Sequence, residues 1–438
     1  MNTTAEIDTK RVGWAEGKPF SKPELLRDYL QVRGLSKEIC ATLEPEDYVI
    51  QTMPEASPVK WHLAHTSWFF EVFVLKEFVP DYKSVHPQYG FLFNSYYNAV
   101  GPLYSRPQRG LLSRPTVKEV FHYRSDIDRF VSELIESADE QLLTKLEPTI
   151  TLGLHHEQQH QELMLTDIKS LFWQNPLRPV FRPRGRERPR PVPAINWIQF
   201  KEDVYWVGHE GPGFSYDNEG PRHRVFVKRF ELASRLVTNA EFLAFMEDGG
   251  YRRSELWLSL GWNTVKERGW GAPLYWEKRD EKWHTMTLAG MAELVPEEPV
   301  CHVSLFEADA YARWSGARLP TEEEWEIASS GLPLKGNFVE SEIFHVAPLS
   351  SPGPSGKPTQ MLGDVWEWTR SSYSPYPGYS PVAGALGEYN GKFMCNQYVL
   401  RGGSCATSQS HIRATYRNFF PPDARWQFNG IRLAKDLV

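Results

Sequence analysis

A proline- and arginine-rich segment divides the 438-residue sequence into two parts with different patterns. Residues 175–195 hold closely spaced prolines, which end a helix because proline lacks the amide hydrogen and clashes with the preceding turn. Before this segment the apolar residues recur at helical spacing, and after it they form short runs between turns. The sequence therefore predicts two domains, residues 1–174 and 196–438, joined by a linker over residues 175–195.

Four stretches of the first part have the periodicity of amphipathic helices. They cover residues 22–43, 57–78, 117–139 and 149–174. Four such helices predict a bundle, and bundles hold metal sites between facing helices. The second and third helices are separated by a long turn-rich connection, residues 80–115, and connections of that length are usually functional.

Residues 155–162 (HHEQQHQE) place two imidazoles, on His156 and His160, about one helical turn apart. Both rings leave the same face of the fourth helix, so the pair could hold a metal ion. A third ligand must come from elsewhere, and the second helix offers His62 and His65. The order His156, Glu157, His160 also fits the zinc-protease pattern, in which the glutamate is a general base. Spacing alone does not separate a zinc hydrolase from an iron enzyme.

Composition excludes several classes of partner. The net charge of −6 gives no general attraction to nucleic acid or to an anionic membrane. Only four cysteines occur, too few and too irregularly spaced for a disulfide framework. The first twenty residues lack an apolar targeting run, and no stretch approaches the ~20 apolar residues of a membrane span. We expect a cytoplasmic protein with small-molecule partners.

The second part predicts an α+β domain with much irregular structure. We expect strands near residues 204–208 and 224–227, and helices near residues 238–246 and 304–315. Three strings resemble the signatures of the formylglycine-generating-enzyme, or sulfatase-modifying-factor, fold, a C-type-lectin-like architecture. They are residues 318–326 (RLPTEEEWE), 363–369 (GDVWEWT) and 401–404 (RGGS).

Fold does not fix function. Formylglycine-generating enzymes rely on a cysteine pair near the chain end, and residues 411–438 contain no cysteine. A histidine-bearing bundle similar to the DinB superfamily, followed by this second domain, resembles the sulfoxide synthases of ergothioneine biosynthesis. The resemblance covers essentially the whole chain. It implies a non-haem iron(II) cofactor and the use of O2 to join a cysteine sulfur to the imidazole of hercynine, which is trimethylhistidine.

The resemblance also implies roles for individual residues. The family's metal ligands correspond to His65, His156 and His160, which leaves His62 and His155 as supporting or structural residues. Substrate contacts implied by the family, or by the chemistry of its substrates, fall on Gln159, Tyr389 and Asn418 for hercynine, on Phe419 and Phe420 for its trimethylammonium group, and on Arg106 and Arg109 for the cysteine carboxylate.

Two departures from one branch of the family concern the sulfur donor. The branch that uses γ-glutamylcysteine has an aspartate after its Arg-Asn-Trp string, whereas here Phe419 and Phe420 follow Asn418. That branch also has a catalytic tyrosine that is missing here, where Leu386 lies near the corresponding place. The pair Tyr96 and Tyr97 resembles the substitute found in a second branch, so free cysteine is the preferred donor and either tyrosine the catalytic one.

Rival functions remain open at this point. The alternatives are γ-glutamylcysteine as donor, an ovothiol- or selenoneine-type synthase, a DinB-like zinc or nickel thiol transferase, and a lectin-like binding protein. The thiol transferase would use the same three histidines without needing Asn418. The binding protein would need neither the histidines nor the tyrosine pair.

Overall fold

The structure is a computed structural model that describes residues 21–185, 191–349, 351, 353–354, 356–382 and 384–437. The expectation for the first twenty residues, and the part of the predicted linker at residues 186–190, lie outside the described residues. Contacts divide the chain into two compact units. The first contains the residues up to Leu177 together with Glu210–Asp217 and Ser380–Lys392; the second contains Arg178–His209, Asn218–Tyr379 and Phe393–Val438.

These units do not follow the order of the chain. Two short segments, Glu210–Asp217 and Ser380–Lys392, come from the second half of the sequence and belong with the helices of the first unit. Sequence periodicity carries no signal for this, because neither segment has a regular apolar pattern. The predicted domain boundaries, 1–174 and 196–438 with a linker over 175–195, stay a prediction.

The first unit is built from helices, which confirms the predicted bundle. They are α1 (Lys22–Cys40), α2 (Val59–Phe70), α3 (Lys76–Phe78), α4 (Tyr89–Leu92), α5 (Val117–Ser137) and α6 (Glu140–Gln174). The second predicted helix continues past Phe70 as a π-helical turn, Glu71–Leu75, before α3. Such turns are rare and are frequent near functional sites.

The fourth helix begins nine residues earlier than the periodicity predicted. Asp139 is its N-cap, and the Asp139 side chain accepts a hydrogen bond from the amide of Leu142 at 2.7 Å. Pro148, directly before the predicted start at residue 149, lies inside α6. The prediction was wrong at this end because a proline removes a single helical hydrogen bond, and the long helix retains the others around it.

A buried ion cluster joins α1, α5 and α6. The carboxylate of Glu157 on α6 is fully buried and accepts hydrogen bonds from Arg33 at 2.8 Å, from Ser36 at 2.5 Å and from Arg124. Burial opposes ionisation of Glu157, but the two guanidinium groups outweigh it and lower the pKa of this carboxyl. Glu157 is therefore an ionised structural residue between helices.

Gly153 lets α6 approach α2 closely. A Cβ atom at this position would lie 2.6 Å from Cε1 of Phe70 and 2.9 Å from Cε1 of Phe69. Both rings are fully buried. Only a residue without a side chain therefore fits here, three positions before His156.

The second unit carries all twelve strands found among the described residues. They are β1 (Trp197–Phe200), β2 (Asp203–Val207), β3 (His223–Val227), β4 (Phe230–Ala233), β5 (Trp276–Arg279), β6 (Lys282–Thr287), β7 (Gly290–Glu293), β8 (Trp366–Ser372), β9 (Tyr398–Arg401), β10 (Asn418–Phe420), β11 (Asn429–Gly430) and β12 (Ala434–Asp436). They form small sheets of order β1-β4-β12, β10-β9-β8-β11, β2-β3 and β5-β6-β7.

Four helices complete the second unit, and they agree with the expected α+β domain. They are α7 (Asn239–Glu247), α8 (Ser259–Arg268), α9 (Leu305–Trp314) and α10 (Glu322–Ser329). The helices expected at residues 238–246 and 304–315 are α7 and α9, which Thr238 and Ser304 start with capping boxes. The two strands expected near residues 204–208 and 224–227 are β2 and β3, which pair antiparallel.

The three signature strings meet in the core of the second unit. Arg401 of the third string pairs with Glu326 of the first. The indole of Trp325 donates to Glu367 of the second string at 2.8 Å, and Arg432 pairs with the same carboxylate. The three strings are far apart in sequence, but their side chains are partners in one buried polar network.

None of the described helices is long and apolar enough to cross a bilayer. The cytoplasmic location stays a prediction.

Replacing Gly153 with alanine should destabilise the protein. Overpacking of a core costs about 1–3 kcal/mol, which exceeds the ~1 kcal/mol gain in helix propensity. Gly34 on α1 is the matched control, because a Cβ there meets nothing within 4 Å. We expect Gly34→Ala to raise the midpoint of thermal unfolding and Gly153→Ala to lower it. Circular dichroism measures both midpoints. Shifts of the same sign would contradict this account.

Candidate metal centre

Three buried histidines converge inside the first unit. His65 on α2 and His156 and His160 on α6 place one potential ligand atom each within 4.8 Å of one another. The Nε2 atoms of His65 and His156 are 3.1 Å apart. Two nitrogen ligands held about 2.1 Å from one ion and at right angles would lie about 3 Å apart. The three side chains therefore fit a single ion.

Aromatic rings fix the orientation of His65. Trp61, one turn before it on α2, stacks with its imidazole at a centroid distance of 4.6 Å, and Trp68 stacks at 5.4 Å. Its Nδ1 atom lies 2.5 Å from the backbone oxygen of Phe93. A carbonyl oxygen only accepts, so Nδ1 carries the hydrogen and Nε2 presents its lone pair to the cluster.

His160 is fixed by two polar residues. Its Nδ1 atom lies 2.8 Å from Nδ1 of His62, and Nε2 of His62 lies 3.0 Å from Oδ2 of Asp167. Asp167 also accepts a hydrogen bond from the amide of Ser57 at 2.9 Å. Both nitrogens of His62 are therefore occupied, which makes it a supporting residue.

Burial keeps the cluster uncharged. It holds the pKa of His65 and that of His160 well below the usual range, with the neighbouring histidines lowering both further. Burial also lowers the pKa of His156 to about 3. Neutral imidazole is the form that binds a metal ion, so these side chains are ready to bind at neutral pH.

An all-histidine set suits zinc, iron, nickel or copper, so the ligands alone do not select the metal. The surroundings of Glu157 do exclude the zinc-protease function that the His-Glu-x-x-His spacing allowed. Glu157 lies between His156 and His160 in sequence, but its carboxylate is held by Arg33 and Arg124 on the bundle side of α6. No free carboxylate at this position can act as a general base.

Two of the expected hercynine contacts lie together beside the cluster. The hydroxyl of Tyr389, in the segment Ser380–Lys392, donates a hydrogen bond to Oε1 of Gln159. The Tyr389 ring packs edge-on to His156 at 5.8 Å and stacks with Tyr216 at 5.3 Å. His155 is turned away from the cluster and stacks with Phe214 at 3.9 Å.

The tyrosine pair contacts both Tyr389 and Trp68. Tyr96 and Tyr97 stack at 4.6 Å, Tyr96 meets the ring of Tyr389 at 6.2 Å, and Tyr97 packs against Trp68 at 5.7 Å. Burial raises the pKa of both phenols, that of Tyr97 well above its usual range with Tyr96 adding to the effect. Both phenols are therefore protonated at neutral pH.

The loop that carries the tyrosines is held by Glu388. Its carboxylate accepts hydrogen bonds from the amides of Asn98 at 3.1 Å and Ala99 at 2.8 Å. Lys392 donates both to Glu388 and to the backbone oxygen of Tyr96. Burial opposes ionisation of Glu388, but these hydrogen bonds prevail and lower its pKa to about 2.

The two arginines of the long connection differ in their surroundings. Arg106 is exposed and donates to the backbone oxygen of Glu55. Arg109 is buried, lies 3.3 Å from the ring centroid of Trp61, and donates to Ser57 at 3.0 Å. Its Nε and Nη2 atoms have no hydrogen-bond partner among the described residues. Burial, followed by repulsion from Arg106, lowers the pKa of Arg109 to about 8.

The remaining substrate candidates lie in the second unit. Asn418, Phe419 and Phe420 form β10, which pairs antiparallel with β9. Phe419 stacks with Tyr373 at 4.1 Å, and the side-chain oxygen of Asn418 accepts from the amide of Phe419 at 2.9 Å. Their roles toward a substrate stay predictions.

Comparison with known proteins identifies the family. Residues 200–437 match the sulfatase-modifying factor enzyme 1-like domain, and residues 28–164 match the DinB superfamily. The chain is 32% identical to hercynine oxygenase of Mycolicibacterium thermoresistibile over 95% of both chains. The chain belongs to the hercynine oxygenase family. It is therefore an oxygenase, and the expected fusion of a DinB-like bundle with a formylglycine-generating-enzyme-like domain is confirmed.

Two further relatives separate this oxygenase from its fold relatives. Hercynine oxygenase of Mycobacterium tuberculosis is 33% identical over 88% of this chain and 92% of its own. The formylglycine-generating enzyme of Streptomyces coelicolor is 31% identical, but the similarity covers 52% of this chain and 84% of that enzyme. The similarity to the hercynine oxygenase thus covers a much larger share of this chain than the similarity to the formylglycine-generating enzyme does.

Sequence reasoning missed Asp167, although a signal existed. Asp167 follows His160 by seven residues and therefore lies on the same face of α6, while His62 precedes His65 by three on α2. The local sequence does not predict the contacts that two distant segments of this oxygenase make with the bundle. The residues concerned are Phe214, Tyr216, Glu388 and Lys392.

The ligand set can be tested by metal content. Alanine at His65, His156 or His160 should abolish stoichiometric binding of cobalt(II) or iron(II), since two imidazoles bind an ion much less tightly than three. His155→Ala is the control, because His155 is adjacent in sequence but stacks with Phe214 outside the cluster. Metal content after anaerobic loading and desalting would be measured by plasma mass spectrometry. A His160→Ala protein with a full equivalent of metal would refute the assignment.

Proposed function

We propose that this chain uses O2 to join the sulfur of L-cysteine to the imidazole ring of hercynine, forming a sulfoxide, with iron(II) held by His65, His156 and His160. The observation that carries the proposal is the buried cluster of three neutral imidazoles in a chain similar to hercynine oxygenases over 95% of its length. Iron, the sulfur donor and the oxidant are part of the proposal.

The reaction balances without a further reductant. One S–H bond of cysteine and one C–H bond of the hercynine ring are broken, and one C–S and one S–O bond form. One oxygen atom of O2 enters the sulfoxide, and the other leaves as water with the two hydrogens. The two substrates therefore supply all four electrons that reduce O2.

Three histidine ligands suit this chemistry because they leave coordination positions free, as the facial triads of other non-haem iron oxygenases do. When bound, iron(II) supplies the one-electron chemistry that O2 needs to react with cysteine and hercynine. The stacking of Trp61 and Trp68 on His65 and the burial of all three rings keep the ligands in place and exclude water from around them.

Arg109 is the proposed anchor for the carboxylate of cysteine. A buried guanidinium is costly where two of its nitrogens have no hydrogen-bond partner among the described residues, and a carboxylate ligand would satisfy both its charge and its hydrogen bonds. Arg106, three residues before it, would add positive charge at the same end. Free cysteine is preferred over γ-glutamylcysteine because Phe419 and Phe420 follow Asn418 where the other branch has Trp-Asp, so the aspartate that binds the substrate amine is absent.

Gln159 and Tyr389 are the proposed contacts for the hercynine ring. Gln159 precedes His160 directly, and its amide is oriented by the Tyr389 hydroxyl. An amide so held can offer its NH2 group to a ring nitrogen. Asn418 is proposed to bind hercynine as well, with Phe419 and Phe420 facing the trimethylammonium group through their ring faces.

Tyr97 or Tyr96 is the proposed donor of a proton or hydrogen atom to the reduced oxygen. Their raised pKa keeps the hydrogen on each phenol at neutral pH. Lys392 binds the backbone oxygen of Tyr96 and Glu388 binds the amides that follow the pair, which supports a fixed position for Tyr96 next to the ring of Tyr389. Without this hydrogen, both atoms of O2 can add to cysteine sulfur and give the sulfinic acid.

The proposed function is tested by anaerobic loading with iron(II), addition of hercynine, cysteine and O2, and mass spectrometry of the products. We expect a hercynine–cysteine sulfoxide, formed faster with cysteine than with γ-glutamylcysteine. A parallel reaction with zinc(II) should be inactive, because zinc has no accessible redox chemistry. Absence of the sulfoxide with both thiols would refute the proposal, and a preference for γ-glutamylcysteine would refute the choice of donor.

Removing the phenol hydroxyls should change which product forms. We expect Tyr96→Phe with Tyr97→Phe to shift most of the oxidised cysteine from sulfoxide to sulfinic acid, while O2 consumption continues. Tyr104→Phe is the control, since Tyr104 lies in the same connection and its ring packs against Phe91. An unchanged ratio of the two products in the double variant would remove the tyrosines from the mechanism.

A further inference from the structure

The three proposed ligands differ in what lies behind them. Nδ1 of His65 is bonded to a backbone oxygen, that of Phe93. For His156, no described residue hydrogen-bonds Nδ1. Only His160 is backed by an ionisable pair, His62 and Asp167. The centre is therefore asymmetric in the electron donation that its three imidazoles receive.

We propose that His62 and Asp167 are positioning residues that fix the hydrogen of His160 on Nδ1 and thereby aim its Nε2 lone pair at the metal ion. This inference rests on the metal centre of the proposed function. It adds to that centre a hydrogen-bonded series of three side chains, Asp167, His62 and His160, of which the last would be the metal ligand.

The direction of each hydrogen bond follows from the acceptor at the end of the series. Asp167 already accepts the amide hydrogen of Ser57 at 2.9 Å, so the carboxylate is oriented and acts as an acceptor. Nε2 of His62, 3.0 Å away, must then carry a hydrogen. In neutral His62 this leaves Nδ1 as an acceptor, and the hydrogen of the 2.8 Å contact belongs to Nδ1 of His160.

The opposite arrangement would prevent metal binding. If Nδ1 of His160 were the acceptor, its hydrogen would be on Nε2, the nitrogen that the contact with His62 leaves for the ion, and no lone pair would be left to bind it. The two tautomers of a free imidazole are close in energy, so the outer partner decides between them. Carboxylate and imidazole partners also make a ligand nitrogen more basic, and their loss typically weakens metal binding 10–100-fold.

The helix geometry supports a dedicated arrangement. His62 precedes His65 by three residues on α2, and Asp167 follows His160 by seven on α6, so each supporting residue shares a face with a ligand on its own helix. The series is also fully internal, because His62, His160 and Asp167 are all buried. Water therefore does not compete for these hydrogen bonds.

Cobalt(II) binding to the full-length protein tests the inference. We expect His62→Leu and Asp167→Asn each to raise the dissociation constant for cobalt(II) 10–100-fold in competition with a chelator. Thr166→Val is the matched control, since Thr166 is equally buried on the same turn and its hydroxyl donates to the backbone oxygen of Leu163. It should bind cobalt(II) as the unchanged protein does.

A second readout reports on the hydrogen itself. In the cobalt(II) protein, the Nδ1 hydrogen of a bound imidazole gives a strongly shifted proton resonance that disappears in D2O. In His62→Leu, the resonance of the His160 hydrogen should disappear or exchange faster with solvent. The resonance of His65, whose Nδ1 is bonded to the backbone oxygen of Phe93, should persist. A residue that only filled space would not change this signal.

The outcomes are distinguishable. An unchanged protein that binds no cobalt(II) would overturn the metal centre and this inference with it. Normal binding by the unchanged protein, with unaltered affinity and resonances in both variants, would overturn the inference alone. Far-ultraviolet circular dichroism of the metal-free variants verifies folding, and Asp167→Asn, which keeps the side-chain shape, decides the matter if His62→Leu does not fold.

Discussion

The ionised carboxylate of Glu157, buried between Arg33 and Arg124, fixes how the longest helix is rotated in the bundle. A charge placed inside a protein is tolerated only where partners satisfy it, so α6 has one acceptable orientation about its own axis. With Glu157 turned toward α1 and α5, the next residues around the helix, His156 and His160, are turned toward α2. The position of the two histidines thus depends on an ion pair that lies outside the histidine cluster.

A second constraint acts from α2. Gly153 allows Phe69 and Phe70 to lie against α6, which brings the histidine of one helix within 3.1 Å of a histidine on the other. The π-helical turn at Glu71–Leu75 follows directly, and Glu71 accepts a hydrogen bond from Tyr123 on α5 at 2.6 Å. Packing and polar contacts thus both fix α2 and its continuation, and together they limit the distances between the histidines.

Much of this could be predicted from sequence because it depends on local spacing. The helical periods gave the bundle, the positions of His156 and His160 gave a shared face, and the three signature strings gave the second fold. The predicted start of α6 at residue 149 was wrong, because Asp139 caps a helix that runs through Pro148. The segments Glu210–Asp217 and Ser380–Lys392 were beyond reach, since their place in the first unit depends on contacts across hundreds of residues. Asp167 could have been found from its seven-residue separation from His160.

The non-sequential composition of the first unit also affects how the protein is made. More than 200 residues separate Leu177 from Lys392, the last residue that joins this unit. At ~5–20 residues per second, a ribosome needs on the order of 10–40 s to cover that distance. During most of this interval the nascent bundle already contains its three histidines but lacks Glu388 and Tyr389, which belong to the later segment. The contacts of Tyr389 with Gln159 and Tyr96 therefore form only in the last stage of synthesis. Until then the three histidines are less enclosed than in the finished protein.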